Sequence, residues 1–163
     1  MVGPVRLSPV SRWITTVERA LAEDVPGAPE DVRAFYADLD NIRLVHPLVV
    51  SVQTVDRRER ADGYEQTYRV TDRIPVGPLH LRTSYVAHLL VPRAGDILTD
   101  ARQFPRVRLR GAVSFVPTGA GTRITERTRI EAPRPLLSLT VGKAVEAHAE
   151  MLAGIRRHFE DAR

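Results

Sequence analysis

The sequence predicts an α+β domain: a seven-stranded antiparallel sheet packed on one long C-terminal helix. Three observations predict it. Apolar residues alternate with period two in a series of stretches between Val50 and Ile130, each bounded by turn residues, which is the pattern of a half-buried meander. The stretch 136–161 has no proline and a helical period. The length, 163 residues, suits a single domain able to bury its own core.

Residues 13–25 read as the first strand, ending at Pro26-Gly27. Pro29-Glu30-Asp31 opens a helix, because proline fits the first turn and the carboxylates complement its positive end. Val32, Phe35, Tyr36 and Leu39 give that helix one apolar face through Asp40. A short second helix or turn, 41–45, stops at His46-Pro47.

The period then changes to two. Val50, Val52 and Val55 lie in a second strand that runs into a charged turn, 56–63. In 64–74, Tyr64, Gln66, Tyr68, Val70, Asp72 and Ile74 share one face, and the opposite residues read as solvent-facing. Pro75-Val76-Gly77-Pro78 turns the chain into the strand 79–91, with Leu79, Leu81, Thr83, Tyr85, Ala87 and Leu89 in phase. Arg93-Ala94-Gly95-Asp96 closes a hairpin into 97–104. Pro105 precedes 107–116, where Val107, Leu109, Val113 and Phe115 oppose Arg106, Arg108 and Arg110. After a turn at 118–121, Ile124, Glu126, Thr128 and Ile130 share a face while Arg123, Arg127 and Arg129 point away. Pro133 and Pro135 end the sheet. In the final helix Leu137, Val141, Val145, His148, Leu152, Ile155 and Phe159 form a stripe, and the apolar sheet face is the surface available to cover it.

Composition excludes several classes. There is no cysteine, hence no disulfide scaffold, thiol nucleophile or thiolate zinc site. The net charge of +4 is a small excess, and all the basic side chains but Lys143 are arginine, which reads as the coding bias of a GC-rich genome. No segment has the ~18 consecutive apolar residues of a membrane span, and residues 1–12 lack the apolar core of a signal peptide. The expectation is a cytoplasmic protein with an N-terminal extension, 1–12, and one domain, 13–163. No P-loop, G-x-S-x-G or dinucleotide fingerprint is present, so no cofactor is expected. His80 and His88 are eight residues apart on the outer face, which leaves no metal-ligand set.

The order strand, two short helices, six strands, long helix resembles the START-like (SRPBCC) helix-grip superfamily, which includes polyketide cyclases/dehydrases and lipid-transfer proteins. Local sequences carry the resemblance too. Ala28-Pro29-Glu30-Asp31-Val32 is similar to the start of the family's first helix. The run 41–52, NIRLVHPLVVSV, is similar to its helix-to-strand passage, although many members have tryptophan at the position of Val45. Gly121-Thr122-Arg123-Ile124-Thr125-Glu126 is similar to its last hairpin. The resemblance covers 17–159. It implies a sheet curled around the long helix, with a cavity between them that takes a lipid, polyketide or similar apolar molecule.

Polar residues on inward faces are informative, because burying them is costly. Alternation places Gln66, Tyr68, Asp72, Thr83, Tyr85, Glu126 and Thr128 inward, and His148 lies on the helix stripe. Glu126 and His148 would face each other across the cavity and could do acid/base work. Each has a blander reading. His148 would be a hydrogen-bonded core histidine, Glu126 a partner of an edge arginine, Asp72 a turn cap or partner of Arg73, the tyrosines core rings, and His46 a turn residue. Leu81, Val113, Phe115, Val141, Val145 and Leu152 would supply an apolar wall. The leading expectation is a module that binds a small hydrophobic molecule, with Gln66, Tyr68, Glu126 and His148 orienting its carbonyl or hydroxyl. One alternative is a polyketide aromatase/cyclase or dehydratase with His148 or Glu126 as base. Another is an interaction protein using the arginine face. That face lacks interleaved aromatic residues, so it is expected to be a solvated surface and not a nucleic-acid platform. A homodimer is compatible with the sequence.

Overall fold

In the computed structural model, which describes residues 13–162, the elements follow the order β1 (Ile14–Val25), α1 (Pro29–Ala37), α2 (Leu39–Val45), β2 (Val49–Arg60), β3 (Gly63–Val76), β4 (Leu79–Pro92), β5 (Ile97–Gln103), β6 (Val107–Thr118), β7 (Gly121–Pro133) and α3 (Arg134–Asp161). The strands form one seven-stranded sheet, ordered β1-β7-β6-β5-β4-β3-β2, antiparallel at every pairing. The meander β2 to β7 is sequential, and β1 closes on β7, so α1 and α2 carry the chain between the two sheet edges. The helix α3 packs on β1, β7 and α2. This is the α+β helix-grip arrangement. The expected extension, 1–12, lies outside the described residues.

Alternation set the faces correctly along most strands. Tyr68, Val70 and Asp72 of β3, Ala87, Leu89 and Val91 of β4, and Ile124, Glu126, Ile130 and Ala132 of β7 are all buried, and Tyr68, Val70, Ala87, Leu89, Val91 and Ile124 share one core with Met151, Leu152 and Ile155 of α3. Glycine supplies positive φ at turns that the sheet needs. Gly121 (φ 152) sits where a Cβ would strike the Val25 carbonyl, and Gly77 (φ 58) turns β3 into β4.

Three boundaries differ from expectation. The segment 56–60 is strand, not turn, and the reversal is confined to residues 61–62. Register shifts between Val49/Ser51 and Thr54/Asp56 break the two-residue period of β2, leaving Val50 and Val55 exposed. The first helix ends at Ala37, not Asp40. Asp38 leaves helical geometry (φ −99, ψ 109), and its carboxylate accepts the Asp40 N–H at 2.9 Å, which caps α2. Pro135 belongs to the first turn of α3, where its missing N–H costs nothing.

Several outward arginines meet acids on the same or neighbouring strands. Arg108 binds Asp100 (2.6 Å), Arg123 binds Asp24 (2.7 Å), and Arg110 and Arg129 both reach Glu131. Such exposed pairs add little stability, but they locally neutralise the basic face. Among the described residues, no helix is long and apolar enough to cross a membrane.

Candidate active site between sheet and helix

A pocket of about 290 Å³ lies between the inner face of the sheet, α2 and α3. Its wall is mostly aliphatic, from Ile42 of α2, Val52 of β2, Val70 of β3, Leu81 of β4 and Val113 of β6, with Met151 from α3. Small side chains (Ala87, Ala101, Ala144, Ala147) keep it open.

Its polar groups form two sets. The first is built on Glu126, which β7 places inward and which is only 2% exposed. A carboxylate so enclosed needs partners, and it has two. The Tyr36 hydroxyl donates to Oε1, and His148 Nδ1 lies 2.8 Å from Oε2. Tyr36 is held by packing on both sides of α1. Its ring stands edge-on to Phe115 at 5.7 Å, while neighbouring Phe35 packs against His158 (4.4 Å) and Phe159 (5.7 Å) of α3. With Nδ1 taken, His148 Nε2 has no hydrogen-bond partner among the described residues and is not occluded, and its side chain is 28% exposed where it lines the pocket. His46, following α2, meets His148 edge-on with ring centroids 5.7 Å apart. Its Nδ1 also accepts the Leu48 N–H at 3.3 Å, so the histidine both shapes the turn and lines the pocket. The second set is Asp72 and Tyr85, whose hydroxyl donates to Oδ1 at 3.4 Å.

The electrostatics follow from enclosure and partners. Burial alone lowers the His148 pKa. The Glu126 charge and hydrogen bond, with a contribution from Asp72, outweigh it and hold the group above the ordinary histidine value. Burial, reinforced by the His148 charge, pushes His46 down to about 3, so it is neutral at physiological pH. Burial raises Asp72 to about 6 against the opposing pull of Tyr85 and His148. Tyr36 and Tyr85 are held well above the usual tyrosine range, by burial first and then by their carboxylate partners. At neutral pH they are hydrogen-bond donors.

Of the residues singled out in the sequence, Asp72, Leu81, Tyr85, Val113, Glu126, Thr128 and His148 line this pocket. The others lie elsewhere. Gln66 accepts from Arg57 at 3.4 Å near the sheet edge. Tyr68 is fully buried, and burial pushes its hydroxyl up to about 12, with a backbone hydrogen bond at Leu39 pulling the other way. Thr83 accepts from Gln103 at 2.7 Å, and it is Gln103 that reaches the wall. Phe115 backs Tyr36, Leu152 is core, Val145 borders a small recess beside Leu21, and Val141 is not part of the wall. Glu126 takes a histidine and a tyrosine as partners, not an arginine, and Asp72 takes Tyr85, not Arg73. Sequence reasoning missed Tyr36 as a site residue. Its helical spacing marked it as core, and its hydroxyl partner lies 90 residues further along the chain.

A larger depression, about 620 Å³, lies on the other face of the sheet, bordered by Arg58, Glu65, His88, Asp100 and Arg110. Its charges are committed to the cross-strand pairs Arg60–Glu65, Arg108–Asp100 and Arg110–Glu131 and to Arg58–Asp56 along β2, and His88 bonds Thr67. Tyr36, His46, Asp72, Tyr85 and His148, enclosed and shifted, converge on the inner pocket, which is therefore the candidate site. Among the described residues, no group of histidines and carboxylates is placed to hold a metal ion.

No protein-family model matches the chain, and no curated protein matches it. Solved structures do. A Thermus thermophilus protein is 21% identical with a TM-score of 0.68, over 91% of this chain and 98% of that one. The Zhui aromatase/cyclase of a Streptomyces species is 13% identical with a TM-score of 0.70, over 90% and 94%. A STAR-related lipid transfer protein from Xanthomonas axonopodis is 18% identical with a TM-score of 0.64, over 88% and 85%. At these identities the likeness establishes the fold.

Proposed function

We propose, from the premise that the chain has the START-like helix-grip fold, that it binds a small and mostly apolar molecule between sheet and helix. The ligand's carbonyl or hydroxyl would be held at the inner end of the pocket. The observation that supports this is the convergence of an aliphatic wall on one unoccupied donor/acceptor, His148 Nε2, whose other nitrogen is fixed by buried Glu126. Few polar groups in an apolar enclosure near the small end of ligand-site volumes, roughly 300–1,000 Å³, suit a compact lipid-like, polyketide-like or isoprenoid-like molecule. The proposal includes a cytoplasmic location and no cofactor. Native mass spectrometry of protein from its own host is expected to show a retained small molecule, released on denaturation. A chain that carries none and takes up no apolar fluorescent probe would overturn the reading.

The Tyr36–Glu126–His148 set favours a second reading, an aromatase/cyclase or dehydratase acting on a poly-β-keto chain. Glu126 fixes the imidazole. Neutral His148 would take a proton at Nε2 from the carbon between two carbonyls, and the resulting imidazolium would return it to a departing hydroxyl. The Tyr85 hydroxyl would turn from its long 3.4 Å bond with Asp72 to hold the enolate oxygen. In this case His148→Asn and Glu126→Gln abolish turnover of a triketide mimic and leave its affinity nearly intact. Equal loss of binding would make both residues anchors.

A further inference from the structure

At one end of the molecule the apolar face of the sheet outruns its helix. Ile74 and Val76 of β3, with Leu79 and Leu81 of β4, continue the inward alternation to the hairpin tip, whereas α3 packs on β1, β7 and α2. Val76 is therefore 39% exposed, Leu79 72% and Leu81 57%. Phe104, in the β5–β6 turn, is 90% exposed, and Leu139, near the start of α3, is 46% exposed. Val76, Leu81, Phe104 and Leu139 all border the pocket, so these side chains ring its mouth. Exposed hydrophobic residues are ordinary when scattered. Grouped on three separate elements around one opening, they mark a contact surface.

The charge around the mouth has one sign. The segments 73–82, 102–108 and 134–145 contain arginines, Lys143 and no aspartate or glutamate. Arg73, Arg82, Arg106 and Arg134 are exposed and form no ion pair among the described residues, whereas Arg108, Arg110 and Arg123 are paired; Arg73 and Arg82 stand on the outer side of the hairpin tip, next to the inward Ile74 and Leu81. Arg73 and Arg82 are direct cross-strand partners, a juxtaposition that repels within a sheet. These cations are unmatched within the fold and open to an external anion.

We infer that the pocket mouth docks on an anionic lipid surface. Phe104, Leu139 and the tip of the β3–β4 hairpin enter the acyl boundary, and the four arginines lie at the headgroups. Three separate protrusions suit a compliant lipid surface better than a shaped protein groove. The pocket would then open toward lipid, letting an apolar ligand pass without crossing water. That last consequence rests on the binding function proposed above, whereas the docking itself does not.

Co-sedimentation of the full chain with vesicles tests this, using phosphatidylcholine alone or mixed with phosphatidylglycerol. Binding is expected on the anionic vesicles only, and it should weaken as salt screens the headgroups. Leu79→Ser with Phe104→Ser should reduce binding at least tenfold. Arg73→Gln and Arg82→Gln should each reduce it about fivefold, and Val55→Ser on β2 should leave it unchanged. Uptake of an anilinonaphthalene probe, measured on the same variants, reports the pocket separately. Equal binding to both vesicle types, or none, overturns the inference. So does retention by soluble polyglutamate as strong as by anionic vesicles, which would assign the face to an acidic protein. A dimer abolished by Phe104→Ser would assign it to a second copy of the chain.

Discussion

Glu126 organises the site because a carboxylate that is 2% exposed must be matched, and its two oxygens hold two different donors. His148 consequently titrates above its ordinary value, against the effect of its own burial. Glu126→Gln removes the charge and leaves the burial, so the His148 pKa should fall below 6.5, as followed by nitrogen-resolved NMR of the ring. A value that stays high would mean another anion holds the proton. The sign for stability follows. A histidine whose pKa rises on folding contributes fully below its unfolded value near 6.5 and loses that contribution as pH rises through the folded value. Asp72 behaves in the same sense for the opposite reason, since burial raises it to about 6. The folded state then binds the proton more tightly than the unfolded one, and stability falls as pH climbs from 3.8 through about 6. Asp72→Asn keeps an oxygen for the Tyr85 hydroxyl and removes the charge. Its melting temperature should exceed the parent's at pH 8, by up to roughly 3 kcal/mol of stability, and match it at pH 4. A lower melting temperature at pH 8 would mean the charged form is held by partners. Much of this chemistry was legible in the sequence, because alternation alone put Glu126, Asp72 and Tyr85 inward and helical spacing put His148 opposite. Tyr36 was not legible. An aromatic residue on an apolar helix stripe reads as core, and nothing local reports a hydroxyl partner on a distant strand.

The elements were readable where one period persists and one face is wet. Strands β3 to β7 meet both conditions. In β2 the bulges scatter its valines over both faces, and at Asp38 a side-chain cap ends a helix that spacing alone carries to Asp40. Neither event leaves a periodic trace. In α3 two glycines look alike in sequence and differ in the fold. A Cβ on Gly142 meets nothing within 4 Å, whereas one on Gly154 would come within 2.9 Å of Val45 Cβ and 3.2 Å of its carbonyl oxygen. Gly154 is thus what lets α2 lie close against α3 and brings His46 to His148. Gly142→Ala should stabilise the protein by about 0.5–1 kcal/mol through helix propensity. Gly154→Ala gains the same propensity but meets backbone, and overpacking of about 1–3 kcal/mol should outweigh it. Chemical denaturation of the two variants should therefore give shifts of opposite sign. Equal stabilisation would show that α2 moves aside freely, and His46 would then be a loosely held wall residue.

The whole molecule sets a continuous core at the α1, α2 and C-terminal α3 end against an open pocket toward the hairpin tips. Phe35, Phe159, Val32 and Val25 close the first end, while alanines at 87, 101, 144 and 147 keep the second from filling. A protein selected only for stability would place larger side chains there, since each buried methylene is worth about 0.8 kcal/mol. Ala101→Leu makes that replacement on β5. The sheet anchors the backbone, so the new side chain can extend into the pocket without moving a strand. Stability is expected to rise by up to about 2 kcal/mol. Affinity for an apolar probe should fall at least tenfold, because the probe and the leucine compete for the same volume. The two readouts must move in opposite directions. A destabilised variant with undiminished probe uptake would show that Ala101 faces packed atoms and that the probe binds elsewhere. A stabilised variant that loses the probe would show that the small residues keep the pocket available to a ligand at the expense of stability.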